Sequence, residues 1–445
     1  MTLEPSVCEA GTRHTLVIRA LAAGGAGIGE LPDGRVVFIQ GALPGDEVDA
    51  TIVRSKKRWA AARLEGVITE GAGRRAAACR HFQTCGGCAF LNLDYGEQLR
   101  WKATFVKDAL QRLAGVEIPL PEVEGSPLEF HYRNRMAFAL RRLRGGRVVA
   151  GLHELHRPSR VMDVGKECLL PDPVVGAAWQ ALRDAWGPGA RHLPAGGDLR
   201  LTLRSVGEEW TLLVDGGEGA WDPRPLVERL PGVSSVWHHP RGAGVPMLVH
   251  GAAEVEAPWM DRTVPLGARS FLQVNAALAS SMVDHVVRIT ESHLEGVREG
   301  AASASLRVVD AYCGVGGYGR AVAGRDVAVV GIEADEGACR AAAHGAPDTF
   351  QVRRGRVEDH LPDALPAEVV IVNPPRTGLD PLVTEALVAD PPGCIVYVSC
   401  DPATLARDVE RLGAVFDVGE ARSFDLFPQT PHVETVIRLN RRAAG

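Results

Sequence analysis

Short apolar runs separated by glycine, proline and aspartate fill the first seventy residues of the chain. The clearest of these runs are Thr15-Leu-Val-Ile, Arg35-Val-Val-Phe-Ile and Val48-Asp-Ala-Thr-Ile-Val. Several short strands at this spacing are typical of a small β-barrel. Further along, apolar residues recur at helical spacing and predict a helix from about Tyr95 to Ala114.

The pattern changes twice in the rest of the chain. From about residue 128 to 260, β-like runs such as Leu201-Thr-Leu lie among less regular segments, which predicts an α+β region. After about residue 265, apolar strands alternate with helical segments. The predicted strands are Arg307-Val-Val-Asp, Val327-Ala-Val-Val-Gly-Ile-Glu, Glu368-Val-Val-Ile-Val-Asn, Cys394-Ile-Val-Tyr-Val-Ser-Cys and Val433-Glu-Thr-Val-Ile-Arg-Leu. This alternation indicates a doubly wound, Rossmann-like α/β domain that binds ligands at the carboxyl ends of its strands.

Length and composition limit the class of protein. The 445 residues are about three times a typical domain, so we predict a β-barrel over residues 1–72, a central α+β domain over 73–262 and an α/β domain over 263–445. Hydrophobic residues make up 46% of the chain, and no apolar run reaches the roughly 18 residues of a membrane-spanning helix. We therefore expect no membrane partner. The N-terminus does not resemble a secretory signal, which predicts a cytoplasmic location.

Charge is unevenly distributed along the chain. The formal net charge of −6 disfavours a nucleic-acid partner on average, because phosphate binding uses lysine and arginine. Two segments are nevertheless basic, and their members are Arg54, Lys56, Lys57, Arg58 and Arg63 around Trp59, and Arg133, Arg135, Arg141, Arg142, Arg144 and Arg147. They predict a basic face in the first half of the chain. A pair of solvated strands would explain the same charges.

Three segments of the α/β region carry candidate chemistry. The strand ending at Asp310 runs into a glycine-rich turn that extends to Gly319, and the next strand ends at Glu333, an acid that can bind the ribose of an adenosine. This combination fits a dinucleotide enzyme as well as a methyltransferase. Asn373-Pro-Pro-Arg376 and Ser399-Cys400-Asp401-Pro402 end two further strands, so all of these segments are predicted to meet at one sheet edge.

The order of these motifs resembles that of the uracil-5 RNA methyltransferases. That family carries Phe-x-Gln-Val-Asn, Asp-x-(Tyr/Phe)-Cys-Gly-x-Gly, Asp-Pro-Pro-Arg and Ser-Cys-Asn-Pro. This chain has Phe271-Leu-Gln273-Val-Asn275, Asp310-Ala-Tyr312-Cys-Gly314-Val-Gly316, Asn373-Pro-Pro-Arg376 and Ser399-Cys400-Asp401-Pro402. Residues 24–48 resemble the TRAM barrel of the ribosomal-RNA branch, and the Cys79 to Cys88 segment resembles that branch's iron-sulfur loop.

The resemblance implies a catalytic pair. Uracil C5 is a poor nucleophile, so an enzyme first adds a thiolate to C6 and thereby activates C5 toward a methyl sulfonium. Cys400 matches the family's nucleophile, and Glu434 in His432-Val-Glu434 matches the base that removes the C5 proton. The alternative is that Cys400 is a small buried apolar residue and Glu434 a solvated charge.

The resemblance also implies contacts with S-adenosylmethionine, and the matching positions are Gln273, Tyr312, Gly317, Glu333 and Asn373. Three positions depart from the family. Gly317 replaces an asparagine, Arg356 replaces an aspartate or asparagine, and Asn373 replaces the aspartate of Asp-Pro-Pro-Arg.

Four cysteines form a candidate metal site. Cys79, Cys85 and Cys88 follow the spacing C-x5-C-x2-C, and Cys168 lies 80 residues after the third. Four thiolates can hold either a [4Fe-4S] cluster or zinc, and the spacing leaves both open. The resemblance favours the cluster. Either metal would join the cysteine loop to the central domain.

Together these observations predict an enzyme that transfers a methyl group from S-adenosylmethionine to uridine C5 in RNA, with 23S ribosomal RNA as the expected substrate. A tRNA uridine methyltransferase is the alternative within the same class. A catalytically silent RNA-binding module that keeps the fold is the alternative outside it. We expect the protein to act as a monomer with RNA as its partner.

Overall fold

The computed structural model describes residues 8–300 and 306–443. The outermost residues of the predicted ranges 1–72 and 263–445 therefore lie outside the described residues. Within the described residues the strands form sheets of six, seven, two and eight strands, in that order along the chain. No helix in the described ranges is long and apolar enough to cross a membrane.

The six-stranded sheet occupies the N-terminal region and has the order β1-β5-β6-β4-β3-β2. Its strands are β1 (Arg13–Val17), β2 (Ala20–Leu21), β3 (Gly27–Glu30), β4 (Val36–Ile39), β5 (Glu47–Ser55) and β6 (Trp59–Thr69). Alternate residues of β5 point inward, and Val48, Ala50 and Ile52 are buried. This arrangement confirms the β-rich N-terminal domain that the short apolar runs predicted.

One helix and one short strand separate the first sheet from the second. Helix α1 (Tyr95–Leu113) begins where the Asp94 carboxylate accepts a hydrogen bond from the main-chain N–H of Gly96, and it confirms the predicted helix. Strand β7 (Glu122–Glu124) follows and joins the eight-stranded sheet. Val106 and Leu110 of α1 lie in the same core as the strands of that sheet. Residues 95–124 thus pack with the third predicted domain although they precede the central sheet in sequence.

The central sheet has seven strands in the order β10-β9-β8-β11-β12-β13-β14. Its strands and helices are β8 (Arg135–Arg142), β9 (Val148–His153), β10 (Val161–Asp163), α2 (Pro173–Ala185), β11 (Leu199–Val206), β12 (Glu209–Gly216), α3 (Arg224–Val227), β13 (Val233–His239) and β14 (Met247–Gly251). Helix α2 covers one face of the sheet, where Trp179 stacks on Phe138 with ring centroids 3.9 Å apart. This region is α+β, as the sequence predicted.

The C-terminal region begins with a hairpin of β15 (Val255–Trp259) and β16 (Arg262–Leu266), followed by α4 (Ala276–Gly300). The remaining elements are β17 (Leu306–Ala311), α5 (Gly317–Val322), β18 (Val327–Glu333), α6 (Glu336–Ala343), β19 (Phe350–Arg354), α7 (Val357–His360), β20 (Val369–Val372), α8 (Pro381–Ala389), β21 (Cys394–Ser399), α9 (Pro402–Leu412), β22 (Phe416–Phe424) and β23 (Glu434–Arg441). All five predicted strands are present. The polar strands β19 and β22 were not predicted.

The eight-stranded sheet has the order β19-β18-β17-β20-β21-β23-β22-β7. The first five strands in this order run parallel, and β23 runs antiparallel to both of its neighbours. Separate apolar cores cover the two faces, one with α4 and α5 and the other with α1, α8 and α9. The fold is therefore the predicted doubly wound α/β type, extended by the three strands β23, β22 and β7.

Candidate active site

Four neighbouring parallel strands bring the predicted site residues to one edge of the sheet. β17 ends just before Tyr312, β18 ends at Glu333, β20 ends just before Asn373, and β21 ends just before Cys400. Because parallel strands present their carboxyl ends on the same side, these residues lie along a single edge. We call this the carboxyl edge.

The antiparallel strand β23 brings Glu434 to the same edge. Ser399 and Thr435 are register partners of β21 and β23, so Cys400 and Glu434 are neighbours despite their 34-residue separation. The Glu434 side chain is buried, and burial raises its pKa to about 7. Burial, and then the Glu434 carboxylate, raise the pKa of the Cys400 thiol to about 11. The structure therefore brings the predicted pair together, while their catalytic roles stay a prediction.

Arg376 faces both members of this pair. Its positive charge lowers the pKa of the Cys400 thiol and that of the Glu434 carboxyl, in each case against the larger effect of burial. The side chain is exposed and forms no ion pair with any residue in the described ranges. Beside it lies His432, whose pKa is lowered to about 4 by burial and by Arg376, so its imidazole is neutral at pH 7. The sequence placed Arg376 in a motif but gave it no role.

The glycine-rich turn is fixed by a buried acid. Asp310 is fully buried at the end of β17, and its Oδ2 accepts a hydrogen bond of 2.7 Å from the main-chain N–H of Gly319. A Cβ at Gly319 would lie 2.8 Å from that oxygen and 2.7 Å from the Phe350 ring, so only glycine fits. Burial raises the pKa of Asp310 to about 7. The aspartate of the motif therefore shapes the turn.

Glu333 is held against this turn. Its Oε2 accepts a hydrogen bond of 3.0 Å from the main-chain N–H of Gly314, and its Oε1 accepts one of 2.8 Å from that of Asp335. Tyr312 stands beside the turn with a left-handed φ of 63°, and burial raises its pKa to about 12. These contacts fix an acid and an aromatic ring at the positions that the resemblance assigned to cofactor binding.

The remaining predicted cofactor residues differ in their surroundings. Gln273 is half-buried, and its carbonyl accepts a hydrogen bond of 3.0 Å from Asn134 Nδ2 of the central region. Asn373 is half-buried, and its main-chain N–H donates to the carbonyl of Ala311. Gly317 begins helix α5. The exposed Arg356 forms an ion pair with Glu358, so this departure from the family is neutralised by a neighbouring acid.

The four N-terminal cysteines line one cavity, which we call the cysteine cavity. Cys79, Cys85, Cys88 and Cys168 share it with apolar side chains that include Phe82, Leu91, Phe130, Leu152, Val164 and Leu170. Burial raises the pKa of Cys88 to about 12 and that of Cys168 to about 11. Among the described residues, no three His, Cys, Asp or Glu side chains lie close enough together to hold a single metal ion. The four predicted metal ligands therefore share a cavity, and their role as ligands stays a prediction.

Ion pairs hold the two cysteine segments together. Glu167, which precedes Cys168, accepts a hydrogen bond of 2.7 Å from Arg80, which follows Cys79. The same carboxylate lies 2.9 Å from His81 Nε2. These contacts therefore join the loop that carries Cys79 to the segment that carries Cys168.

The loop from 425 to 433 connects the cysteine cavity to the carboxyl edge. Gln429 is fully buried with a left-handed φ of 69°. Its carbonyl accepts hydrogen bonds of 3.0 Å from the main-chain N–H groups of Ala89 and Phe90, which directly follow Cys88. The Gln429 side-chain oxygen accepts a hydrogen bond from Gln98 Nε2, and the main-chain N–H of Gln429 donates one to Gln98 Oε1. The loop that leads to Glu434 is thus hydrogen-bonded to the residues that follow Cys88.

Two further charged residues hold this loop, and sequence reasoning gave neither of them a site role. Lys102 of α1 forms a fully buried ion pair with Asp425. The Arg133 guanidinium lies 5.6 Å from the centre of the Phe427 ring, and its charge also acts on Cys88 and His432. Charge alone placed Arg133 in a basic segment, whereas only the fold shows that it lies between the cavity and the carboxyl edge.

Comparisons with known proteins agree with this arrangement. Residues 264–442 match the family model described as tRNA (Uracil-5-)-methyltransferase, and residues 9–64 match the TRAM domain. An uncharacterised RNA methyltransferase of Gloeobacter violaceus is 34% identical, with 99% of each chain covered. A second, from Nitratidesulfovibrio vulgaris, is 32% identical, with 97% of each chain covered.

A solved structure shares the fold over most of the chain. The tRNA (uracil-54, C5)-methyltransferase of Pyrococcus abyssi, in complex with S-adenosyl-L-homocysteine, superposes with a TM-score of 0.71 at 25% identity. The match covers 96% of this chain and all of that one. The motifs, the sheet edge on which they meet and these matches together show that the chain belongs to the family of S-adenosylmethionine-dependent RNA (uracil-5-)-methyltransferases.

Proposed function

We propose that this protein methylates uridine C5 in 23S ribosomal RNA through a covalent bond between Cys400 and uracil C6, which Glu434 later resolves. The observation that carries the proposal is the register of β21 and β23. It sets a thiol and a buried carboxyl side by side, with the Arg376 cation facing both. A base with a pKa of about 7 suits proton transfer near neutral pH.

Each residue has a defined step. Cys400 releases its proton to solvent, and its thiolate adds to C6, which moves the C5=C6 electron pair into an enolate. S-adenosylmethionine supplies an electrophilic methyl group on a sulfonium. Once C5 carries the methyl group, the Glu434 carboxylate takes the C5 proton, the C5=C6 bond reforms and the Cys400 thiolate leaves. The net products are methylated RNA, S-adenosylhomocysteine and one proton.

Arg376 lowers the cost of generating the thiolate. At neutral pH a thiol with a pKa of about 11 is almost entirely protonated, so the thiolate needs nearby positive charge when substrate enters. Arg376 is the exposed cation that acts on Cys400. We infer that exclusion of water by bound RNA strengthens this interaction, because charges interact more strongly at low dielectric.

The cofactor would lie along the carboxyl edge. Glu333 would bind the ribose hydroxyls, because its carboxylate is fixed to the turn by Gly314. Tyr312 would pack against the cofactor, and Gln273 and Asn373 would contact its methionine end. Gly317 would contribute a main-chain donor at the start of α5 in place of the family's asparagine side chain.

We propose that the cysteine cavity holds a [4Fe-4S] cluster, which the family resemblance favours over zinc. In a cubane each of four thiolates binds its own iron. The four cysteines share one apolar cavity, which supports a common role for their thiolates. The cluster would have a structural role, since methyl transfer moves no electron through the protein.

Ribosomal RNA and tRNA are the two candidate substrates of this reaction. The likeness of the barrel and the cysteine loop to the ribosomal-RNA branch supports 23S RNA. The Pyrococcus abyssi neighbour, which is named for tRNA, supports the alternative. The pairing of Cys400 with Glu434 argues against a silent RNA-binding module. We retain three domains as part of the proposal, with residues 95–124 packed against the third domain, and we retain the monomeric state.

The test uses unmodified 23S and tRNA transcripts with labelled S-adenosylmethionine, followed by mapping of 5-methyluridine. We expect methylation of the 23S transcript and none of a matched transcript with cytidine at the target position. Methylation of tRNA alone would show that tRNA, and not 23S RNA, is the substrate. A preference for cytidine would show that uracil is not the target base. As a control, Cys394→Ala removes a buried thiol at the opposite end of β21 and should still methylate.

A further inference from the structure

Helix α2 covers one face of the central sheet. The second face, which we call the open face, is exposed at Arg200 and buried at Thr202 and Arg204. Met136, Phe138 and Leu140 of β8 point into the core beneath α2, as do Leu201 and Leu203 of β11. Because side chains alternate along a strand, Arg135 of β8 and Arg200 and Arg204 of β11 share the opposite face. This open face contains arginines on two adjacent strands.

Two of these arginines oppose each other directly. Arg204 and Arg135 are register partners across β11 and β8. Arg204 is 7% exposed, and Arg135 is half-buried. Burial, with a further contribution from Arg135, lowers the pKa of Arg204 to about 9. Like charges directly opposite in a sheet destabilise it, so this pair is unfavourable while the face is empty.

Little acid compensates these cations. In the described ranges neither Arg135, Arg200 nor Arg204 forms an ion pair, and Arg204 donates one hydrogen bond to the carbonyl of Ser270. Asp215 on the neighbouring strand β12 is the register partner of Arg200, and its charge also reaches Arg135. That carboxylate is already bound by Arg269 at 2.8 Å and lies 3.0 Å from His239. The face therefore keeps an excess of positive charge.

The pair lines a small recess on this face. Thr202, Thr211, Trp237 and Ala268 form its walls around Arg135 and Arg204. The segment that closes the recess at Ser270 continues directly to Gln273, which the proposed function places at the cofactor. A Cβ at Gly337, in the first turn of α6 just after the carboxyl end of β18, would lie 4.0 Å from Ser270 Oγ. An anion held in the recess would therefore lie near the carboxyl edge.

We propose that Arg135 and Arg204, assisted by Arg200 and Arg269, bind a backbone phosphate of the substrate RNA beside the carboxyl edge. The proposal rests on RNA being the substrate, as proposed above. A phosphate would replace the repulsion between two guanidinium groups with charge-assisted hydrogen bonds to both. The hydroxyls of Thr202 and Thr211 could donate to the same anion.

Other arginines of the same basic segment already have partners. Arg142 donates to the carbonyls of Gly189, Ala190, Leu193, Pro194 and Gly196, and so it holds a loop. Arg141 pairs with Asp198.

Arg147 is exposed in the turn between β8 and β9, away from the recess. It provides a matched control that removes one positive charge.

The test compares Arg135→Gln with Arg147→Gln. A fluorescent RNA hairpin carrying a target-like uridine is titrated at several salt concentrations, and calorimetry measures S-adenosylhomocysteine binding. We expect Arg135→Gln to weaken RNA binding about tenfold and to reduce the salt slope by about one, with cofactor affinity unchanged. Arg147→Gln should stay within about twofold of the unmodified protein.

Thermal unfolding separates binding from structure. Removing one of two opposed charges should leave the melting temperature of Arg135→Gln unchanged or raised, although RNA affinity falls. Inorganic phosphate should raise the melting temperature of the unmodified protein more than that of the variant. A lower melting temperature with unchanged RNA affinity and salt slope would overturn the proposal, because the arginine would then be structural.

A second variant keeps the test decisive if Arg135→Gln fails to fold. Arg200 is exposed on the same face, so Arg200→Gln should fold and lower RNA affinity and salt slope in the same direction. An unchanged affinity for Arg200→Gln would then reject the site. If RNA binding depends on these arginines and no RNA is methylated, the proposed function fails while this site stands. If RNA is methylated and its affinity is insensitive to both variants, this site fails while the proposed function stands.

Discussion

The carboxyl edge and the cysteine cavity hold the same functional group in different surroundings. Burial raises the pKa of the thiol in both, to about 11 for Cys400 and about 12 for Cys88. Cys400, however, has the Arg376 cation and the buried Glu434 carboxyl beside it. Cys88 lies among apolar side chains and other thiols, and the cation that acts on it is Arg133. The residues around each thiol therefore distinguish the candidate nucleophile from the candidate metal ligand.

The two regions are also joined. Gln429 binds the main chain immediately after Cys88, and five residues later the same loop reaches Glu434. Lys102 and Asp425 anchor the start of that loop. A change in the cysteine cavity should therefore reach the carboxyl edge through contiguous hydrogen bonds. Five predictions test how far the two regions are independent.

The largest expected effect comes from Cys400→Ala. Without the thiol no bond to C6 forms, so methylation should fall by at least about 10³-fold and no covalent RNA complex should appear on denaturing gels. The cysteine cavity should be unaffected, and iron content should match that of the unmodified protein. Ordinary turnover by this variant would show that the thiol is not the nucleophile.

Glu434→Gln should be the next most damaging change. The thiol can still add and methyl transfer can still occur, but no carboxylate removes the C5 proton, so turnover should fall by about 10² to 10⁴-fold. The methylated adduct should accumulate on denaturing gels, unlike with Cys400→Ala. Glu410→Gln, on the exposed surface of α9, is the matched control. Rapid release of product by Glu434→Gln would rule out this base.

Loss of a cavity thiol should act at a distance. Protein prepared without oxygen should be brown, with about four irons per chain, and Cys88→Ser should lose that iron. We expect methylation to fall about tenfold, in the range seen when support around a metal site is lost. Hydrogen exchange should quicken over residues 425–433, because Gln429 loses its fixed partners.

The comparison variant is Cys339→Ser, which removes a thiol from α6 outside the cavity and should keep both iron and exchange protection. Stoichiometric zinc in the unmodified protein would contradict the cluster. Iron loss with unchanged exchange at 425–433 would show instead that the two regions are independent.

The smallest effect is a pH dependence that only the carboxyl edge should show. Glu434 accepts a proton only when ionised, and with a pKa of about 7 about one-tenth is ionised at pH 6. Adduct resolution should therefore rise about tenfold per pH unit below pH 7 and level off above pH 8. Single-turnover measurements of adduct decay check this, and a flat profile from pH 5.5 to 8 would contradict it.

The same shift has a consequence for stability. The pKa of Glu434 is raised from 4.5 to about 7, so the folded state binds the proton more tightly than the unfolded state. The protonated Glu434 carboxyl therefore adds to the free energy of unfolding, fully below pH 4.5, and this contribution is lost as pH rises through 7. It amounts to about 3 kcal/mol, at 1.36 kcal/mol per pKa unit. Glu434→Gln should remove this part of the pH dependence of thermal unfolding.

Much of the fold and some of the site could be predicted from the sequence. Apolar strands such as β20 and β21 are recognisable by composition alone, and the glycines after Asp310 predict a turn because their conformation is a local property. Since consecutive parallel strands end on one side, the meeting of Asn373, Cys400 and Glu333 at one edge also follows from local patterns.

Tertiary structure decided the rest, because it depends on pairing between distant segments. No local pattern places α1 and β7 beside the C-terminal sheet, or aligns Ser399 with Thr435 so that Glu434 meets Cys400. The arginines of the basic segment cannot be told apart by sequence. In the structure, however, Arg142 holds a loop, Arg135 faces Arg204, and Arg133 lies over Phe427. Residue type and spacing determined which groups the chain carries, whereas strand register and burial determined which of them meet and how each one titrates.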